Sequence, residues 1–202
     1  NRYVKLQNNE EIHQTKMIFD LIKMCKIPCN SNTTIDISLP KEKLKLTNVN
    51  KALIMIHVTE RWINKFYNEE NFLKLIMNLP TDKYAYVLTT DNSTKNKFKK
   101  IYDHFEIIYD KDFLAIKKEK ANFTILERLN YKKFLQVIYS SKKIITPECG
   151  TIHLAAACEV PTVIIYNSIN YHEAISKEYH PWKNRYKKLV FNDMKLNQKI
   201  LN

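Results

Sequence analysis

The run Ile144-Ile145-Thr146-Pro147-Glu148-Cys149-Gly150-Thr151-Ile152-His153-Leu154-Ala155-Ala156-Ala157 gathers a carboxylate, a thiol, a hydroxyl and an imidazole between Glu148 and His153. It also holds Gly150, the single glycine of a 202-residue chain. Glycine can adopt φ > 0 and lets a ligand come close to the main chain, and either use would explain it here. Lys143 to Thr146 reads as a short buried strand, His153 to Cys158 as an Ala-rich helix, and Pro161-Thr162-Val163-Ile164-Ile165-Tyr166 as the next strand. In such a βαβ unit a ligand sits at the carboxyl end of the strand, against the helix N-terminus, whose backbone N–H groups suit an anion. Plainer roles fit the same residues. Glu148 could serve only the helix dipole, and His153 could cap or pack. Cys149 has no identifiable activating histidine, so it reads as a small packed residue and not as a nucleophile.

Two further loops follow predicted strands and belong on the same rim: Thr59 to Lys65, and Thr89 to Thr94 with Asp91 in it. The three loops together offer hydroxyls, a basic side chain, carboxylates and a helix end. That set suits a diphosphate joined to a sugar: the helix end and Lys65 would neutralise the phosphates and a carboxylate would bind sugar hydroxyls. A chain with one glycine can hold neither a Walker-type loop nor a G-x-G-x-x-G fingerprint. Among so many lysines Lys65 also reads as an ordinary surface residue, His57 as structural, and Trp62 and Trp182 as packing residues.

The elements that must position these loops follow from apolar periodicity. Helical spacing runs over Glu10 to Met24, and Pro28 closes it. Ile35 to Leu39 alternates as a short strand. Ala52 to Val58 is a continuous apolar run, as in a strand buried on both faces. A helix follows from Asn68 to Leu79, then a strand at Tyr84–Thr90, a basic helix capped by Asp91-Asn92-Ser93-Thr94, and a third strand at Phe105–Tyr109. Asp110 to Ala121 reads as a charged, exposed excursion and Phe123–Leu126 as short and extended. Tyr131 to Ser140 reads as an amphipathic helix leading into the opening strand. Tyr171–Ile175 suggests a helix and Leu189–Phe191 a last strand. Alternation of this kind predicts an α/β fold, a Rossmann-like parallel sheet with helices on both faces. Residues 1–50 read as an N-terminal helix and connector, and 51–202 as the ligand-binding domain.

The net charge of +12, from 33 Lys+Arg against 21 Asp+Glu, favours anionic partners. Codon bias in an AT-rich genome would give the same Lys, Asn and Ile excess. Cys25, Cys29, Cys149 and Cys158 show no paired C-x-x-C spacing, which predicts free thiols in a reducing, cytoplasmic setting. No apolar run reaches the roughly 18 residues that span a bilayer. The chain opens Asn1-Arg2-Tyr3 without Met, as a sequence beginning in mid-protein would.

Glu148-Cys149-Gly150-x-x-His153-Leu154-Ala155-Ala156-Ala157, followed by Val160-Pro161-Thr162, resembles the Asp-Thr/Ser-Gly-x-x-His-Leu-Ala-Ala-Ala hallmark of the heptosyltransferase-type glycosyltransferases, family 9. His57 to Thr59, Lys65, Tyr67 and Glu69-Glu70-x-Phe72 are similar to a second family segment, with Tyr67 where Trp is usual and Asn68 where Pro is usual. The resemblance covers roughly Lys51 to His172. It implies the C-terminal, donor-binding half of a GT-B glycosyltransferase that takes a nucleotide-sugar, typically ADP-heptose, with no metal or other cofactor. The acceptor would be lipopolysaccharide core or a related glycan, at the cytoplasmic face of a bacterial inner membrane, with peripheral contact to an anionic surface and no nucleic-acid partner. By position, Thr59 and Lys65 would contact the diphosphate. Glu148 would contact the sugar, Cys149, Gly150, Thr151 and His153 would line the diphosphate and nucleoside, and Asp91 would hold the ribose. Glu148 is one methylene longer than the usual Asp, and Cys149 lacks the usual hydroxyl. The acceptor site and catalytic base belong to the N-terminal half, so no catalytic residue is assigned and the chain alone is expected to be inactive. A non-catalytic remnant, or a basic α/β module for nucleotides or nucleic acid, is the alternative.

Overall fold

The computed structural model describes residues 13–30, 32–35, 37–44, 51–59, 69–90, 106–110, 113–117, 123–127, 129–166 and 172–190, with backbone alone at 106–110, 113–117, 123, 127, 172 and 174. Lys65, Asp91, Trp62 and the basic helix expected after Asp91 lie outside these residues. Strands β1 (Ala52–Val58), β2 (Tyr84–Thr90), β5 (Phe123–Glu127), β6 (Lys143–Pro147), β7 (Thr162–Tyr166) and β8 (Tyr186–Val190) form one six-stranded sheet in the order β5-β2-β1-β6-β7-β8. Every pairing in it is parallel.

The uninterrupted apolar runs of β1, β2, β6 and β7 are covered on both faces, which accounts for their lack of alternation. On one face α2 (Glu69–Met77) buries Phe72, Leu75 and Ile76 against Ile54, Ile56, Tyr86, Leu88, Ile145 and Ile165. On the other, α3 (Tyr131–Ser140) and α4 (Thr151–Ala157) cover Leu53, Met55, Val87 and Ile144 with Leu135, Val137, Ile138 and Ala155. The helix ends match their sequences. Asn130 caps α3 by accepting from the Lys133 amide at 2.9 Å. Glu69 and Glu70 occupy the first turn of α2, where the helix dipole favours negative charge. β8 is an edge, and its exposed Tyr186, Lys187 and Lys188 discourage further pairing.

The sequence reading differs from the structure in three places. The strand expected at Phe105–Tyr109 is not part of the main sheet. β3 (Glu106–Asp110) pairs antiparallel with β4 (Phe113–Lys117), inside the stretch expected to be an excursion. Too few residues separate them for a parallel crossover, so the chain can only fold back as a hairpin. The segment read as merely extended, Phe123–Leu126, lies in β5, the strand that pairs beside β2. Described residues 33–35 and 37–40 carry no strand, so the alternation at Ile35–Leu39 does not produce a ladder.

Helix α1 (Gln14–Met24) docks far along the chain. His13 Nδ1 accepts from the Thr15 amide at 3.1 Å, which leaves Nε2–H to donate to the His180 carbonyl at 2.8 Å. Gln14 donates to the Tyr179 hydroxyl. Trp182 packs its ring against His13 and Phe19 and donates to the Thr33 carbonyl at 3.1 Å. Trp182 is thus a packing residue, as its sequence context suggests. Last, α5 (His172–Glu178) precedes β8, and Lys188 reaches back to Ser176 Oγ at 2.7 Å.

Trp182→Ala should therefore loosen α1 selectively. Hydrogen exchange of amides 14–24 is expected to speed up while β1, β2 and β6 keep their protection; uniform loss across the sheet would contradict this latch.

Candidate functional site

The strand order reverses beside β1. The chain passes from β1 to β2 and on to β5 on one side, then returns to β6 on the other. In open α/β sheets ligands bind outside the carboxyl ends of the strands at such a reversal, and here that point lies between β1 and β6. The first residue past β1 is Thr59, and the first past β6 is Glu148. Ile56 pairs with Ile145 and Pro147 with Ile165. Carried to the strand ends, this register brings Thr59, Glu148 and Tyr166 to one level across β1, β6 and β7. The Glu148 amide donates to the Ile165 carbonyl at 3.3 Å and holds that level in place.

Polar satisfaction is incomplete at this rim. Thr59 Oγ1, Thr90 Oγ1 and Tyr166 Oη are buried and have no hydrogen-bond partner among the described residues. All three stand at carboxyl ends of strands of the parallel sheet. Leaving a buried hydroxyl unpaired costs about 1–3 kcal/mol, so native structures rarely keep one without a ligand, water or functional reason. Neighbouring polar groups on the rim are paired. His57 Nδ1 meets Thr89 Oγ1 at 2.9 Å, and its ring packs against Phe134. His57 is structural, in agreement with its sequence context.

Gly150 caps α4 with φ −53 and ψ −24, so the left-handed backbone that a glycine could supply is not used. A Cβ built on it would meet nothing within 4 Å. The described residues would accept alanine here, and the open space leaves room for close approach to the main chain. The first turn is tight: the Ile152 amide donates to the Cys149 carbonyl and the His153 amide to the Gly150 carbonyl, both at 3.1 Å. These first-turn amides are thus taken up within the helix end itself. Cys149 is half-buried, with Sγ 3.3 Å from Thr146 Oγ1, while that hydroxyl also donates to the Pro147 carbonyl at 3.0 Å. This contact suits a small packed residue. Thr151 is buried in the first turn and His153 half-buried beside it.

Burial lowers the His153 pKa from the usual 6.5; His13 and His180 push it the same way, against Glu148. His180 is lowered too, by burial and then by His13. These histidines are thus biased toward the neutral form. Among the described residues no group of three or more His, Cys, Asp or Glu side chains could hold a metal ion. A cavity of about 630 Å³ opens beside the first turn of α3, between Ser38–Glu42 and Asn130–Gln136. It was not foreseen from the sequence, because it depends on a connector folding over a distant helix.

The sequence matches the model of glycosyltransferase family 9 (heptosyltransferase) over residues 10–199. Among solved structures, the chain is similar to a glycosyl transferase family 9 protein from Veillonella parvula DSM 2008, with TM-score 0.66, 14% identity and coverage of 99% of this chain and 55% of that one. E. coli heptosyltransferase WaaC with ADP gives TM-score 0.61 and 16% identity over 97% of this chain and 57% of that one. The E. coli ADP-heptose lps heptosyltransferase II gives 0.55 and 16% over 81% and 53%. The chain thus spans about half the length of these proteins, and it has the α/β fold of these GT-B glycosyltransferases. Among curated protein sequences nothing matches it. Among the described residues no helix is long and apolar enough to cross a membrane.

Unfolded histidines near 6.5 take up protons before the depressed native ones do, so stability should fall as pH drops below about 6.5 toward the folded values. Thermal melts are expected to be flat above pH 7 and to fall through pH 6, with a shallower fall in His153→Gln; a melting temperature independent of pH between 7 and 5.5 would contradict the shifts.

Proposed function

The chain belongs to glycosyltransferase family 9, the heptosyltransferases, and on that premise we propose that its crevice binds the nucleotide-sugar donor of a glycosyl transfer. The observation that carries this reading is the convergence of the strand-order reversal with a Thr59 hydroxyl that has no partner among the described residues and with open space at Gly150. A diphosphate there would receive a hydrogen bond from Thr59 and from the open end of α4, where the backbone dipoles favour negative charge. Lys65, six residues beyond Thr59 in sequence, is assigned to the same diphosphate by the family motif, and Asp91 to the ribose. Glu148, level with Thr59 on the neighbouring strand, would then accept from sugar hydroxyls. Cys149, Thr151 and His153 would line the diphosphate and nucleoside. ADP-heptose is the donor proposed, and a lipopolysaccharide-type glycan at a membrane surface the acceptor.

The chemistry of this half is binding and orientation. The described residues would fix the diphosphate as the leaving group and the sugar beside Glu148, while the general base would come from a second α/β half. α1 carries exposed apolar side chains at Ile18 and Leu21, 55% and 48% exposed, with Met24 and Ile27 continuing the patch. Apolar surface of this kind is what another domain covers.

Isothermal titration with ADP, UDP, GDP and their sugars tests the reading. Saturable binding of ADP and ADP-heptose is expected, and no binding to any nucleoside diphosphate would overturn it. Thr59→Val should leave thermal stability unchanged or raised, since it removes an unpaired hydroxyl, and should weaken ADP about tenfold or more. Gly150→Ala should fold with equal or greater stability, because alanine narrows the unfolded ensemble by about 0.4–1 kcal/mol, yet lose ADP affinity; undiminished affinity would remove Gly150 from the site.

A further inference from the structure

We infer that Tyr166 is a sugar-recognising residue of this site, its phenol hydroxyl held in reserve for a hydroxyl of the donor sugar. The inference rests on the donor-site reading above and adds to it a residue that the family motif does not supply.

Tyr166 is the last residue of β7 and is 2% exposed, yet its Oη has no hydrogen-bond partner among the described residues. A buried tyrosine hydroxyl ordinarily finds one. Lys188, with Nζ 5.7 Å from the ring centroid, donates instead to Ser176 Oγ at 2.7 Å. Register places Tyr166 beside Glu148, one strand beyond it, and neighbouring strands lie about 4.8 Å apart. Alternation puts Tyr166 on the sheet face that carries α4, where it packs with Ile152 of that helix's first turn.

The row along the sheet edge has a chemical direction. Thr59, just past β1, is assigned to the diphosphate, Glu148, just past β6, to the sugar, and Tyr166, at the end of β7, comes next on the same side. A nucleotide-sugar laid along this edge in that order brings the far hydroxyls of its sugar toward β7. Burial, then Tyr186 and Glu148, raise the phenol's pKa well above the usual tyrosine value. It therefore stays protonated and can donate to a sugar oxygen without adding charge beside Glu148. A site that pairs its buried polar groups only with the correct sugar discriminates strongly against ligands lacking the matching hydroxyl.

The test is Tyr166→Phe in the full chain, titrated in parallel with ADP-heptose and with ADP and followed by thermal melts without ligand. Wild type is expected to bind ADP-heptose more tightly than ADP. The variant should lose about fivefold to tenfold on ADP-heptose, keep its ADP affinity, and melt no lower than wild type. Equal losses on both ligands, no loss on either, or a lowered melting temperature would overturn the role for Tyr166. Failure of the wild type to bind ADP at all would instead overturn the donor-site reading, and this inference with it.

Discussion

The reversal of strand order between β1 and β6 is the constraint on which the rest of this molecule depends. A parallel sheet buried on both faces leaves few places where polar groups can meet a ligand, because its helices cover everything but the edges and the strand ends. Where two crossovers leave neighbouring strands in opposite directions, the covering layer parts. Thr59 and Glu148 stand at the reversal because β1 and β6 end there. Each is the first residue past an apolar strand and is half-buried.

The two faces of the sheet contribute differently. The α2 face is a dry core, filled by Phe72, Leu75, Ile76 and the inward residues of the strands, and it serves as a rigid base. The α3 and α4 face carries the same kind of core lower down, through Leu135, Val137, Ile138 and Ala155, but turns polar at its upper rim. Small residues along α4, Ala155 to Ala157, let that short helix lie close to β6 and β7, which draws Gly150 and Thr151 down to the strand ends. His13 and His180 pack ring against ring, and His13 also donates to the His180 carbonyl; both lie near enough to His153 to lower its pKa.

Much of this was legible in the sequence, for identifiable reasons. The apolar runs at 52–58, 84–90, 143–147 and 162–166 are long enough and bounded sharply enough to announce buried parallel strands. The cluster from Glu148 to His153 stood out because its residue types surround the single glycine of the chain, and the structure places it just past β6 and through the first turn of α4. The hairpin of β3 and β4 was not legible, since Ile107-Ile108-Tyr109 is as apolar as a sheet strand and only tertiary pairing separates the two fates. The backbone role of Gly150 was half legible: close approach agrees with the open space in front of it, whereas positive φ does not. Tyr166 was hidden inside a strand, and only the missing partner for its hydroxyl distinguishes it from an ordinary core aromatic.

The central claim is that one crevice, at the ends of β1 and β6, takes the diphosphate. An amide chemical-shift titration of the isotopically labelled chain with ADP tests it most directly. The account predicts saturable shifts concentrated at Thr59 and from Glu148 to His153, with the amides of β8 unmoved. Shifts scattered over the lysine-rich surface, not saturating and abolished by moderate salt, would instead mean that the positive charge alone attracts the nucleotide and that the crevice holds nothing.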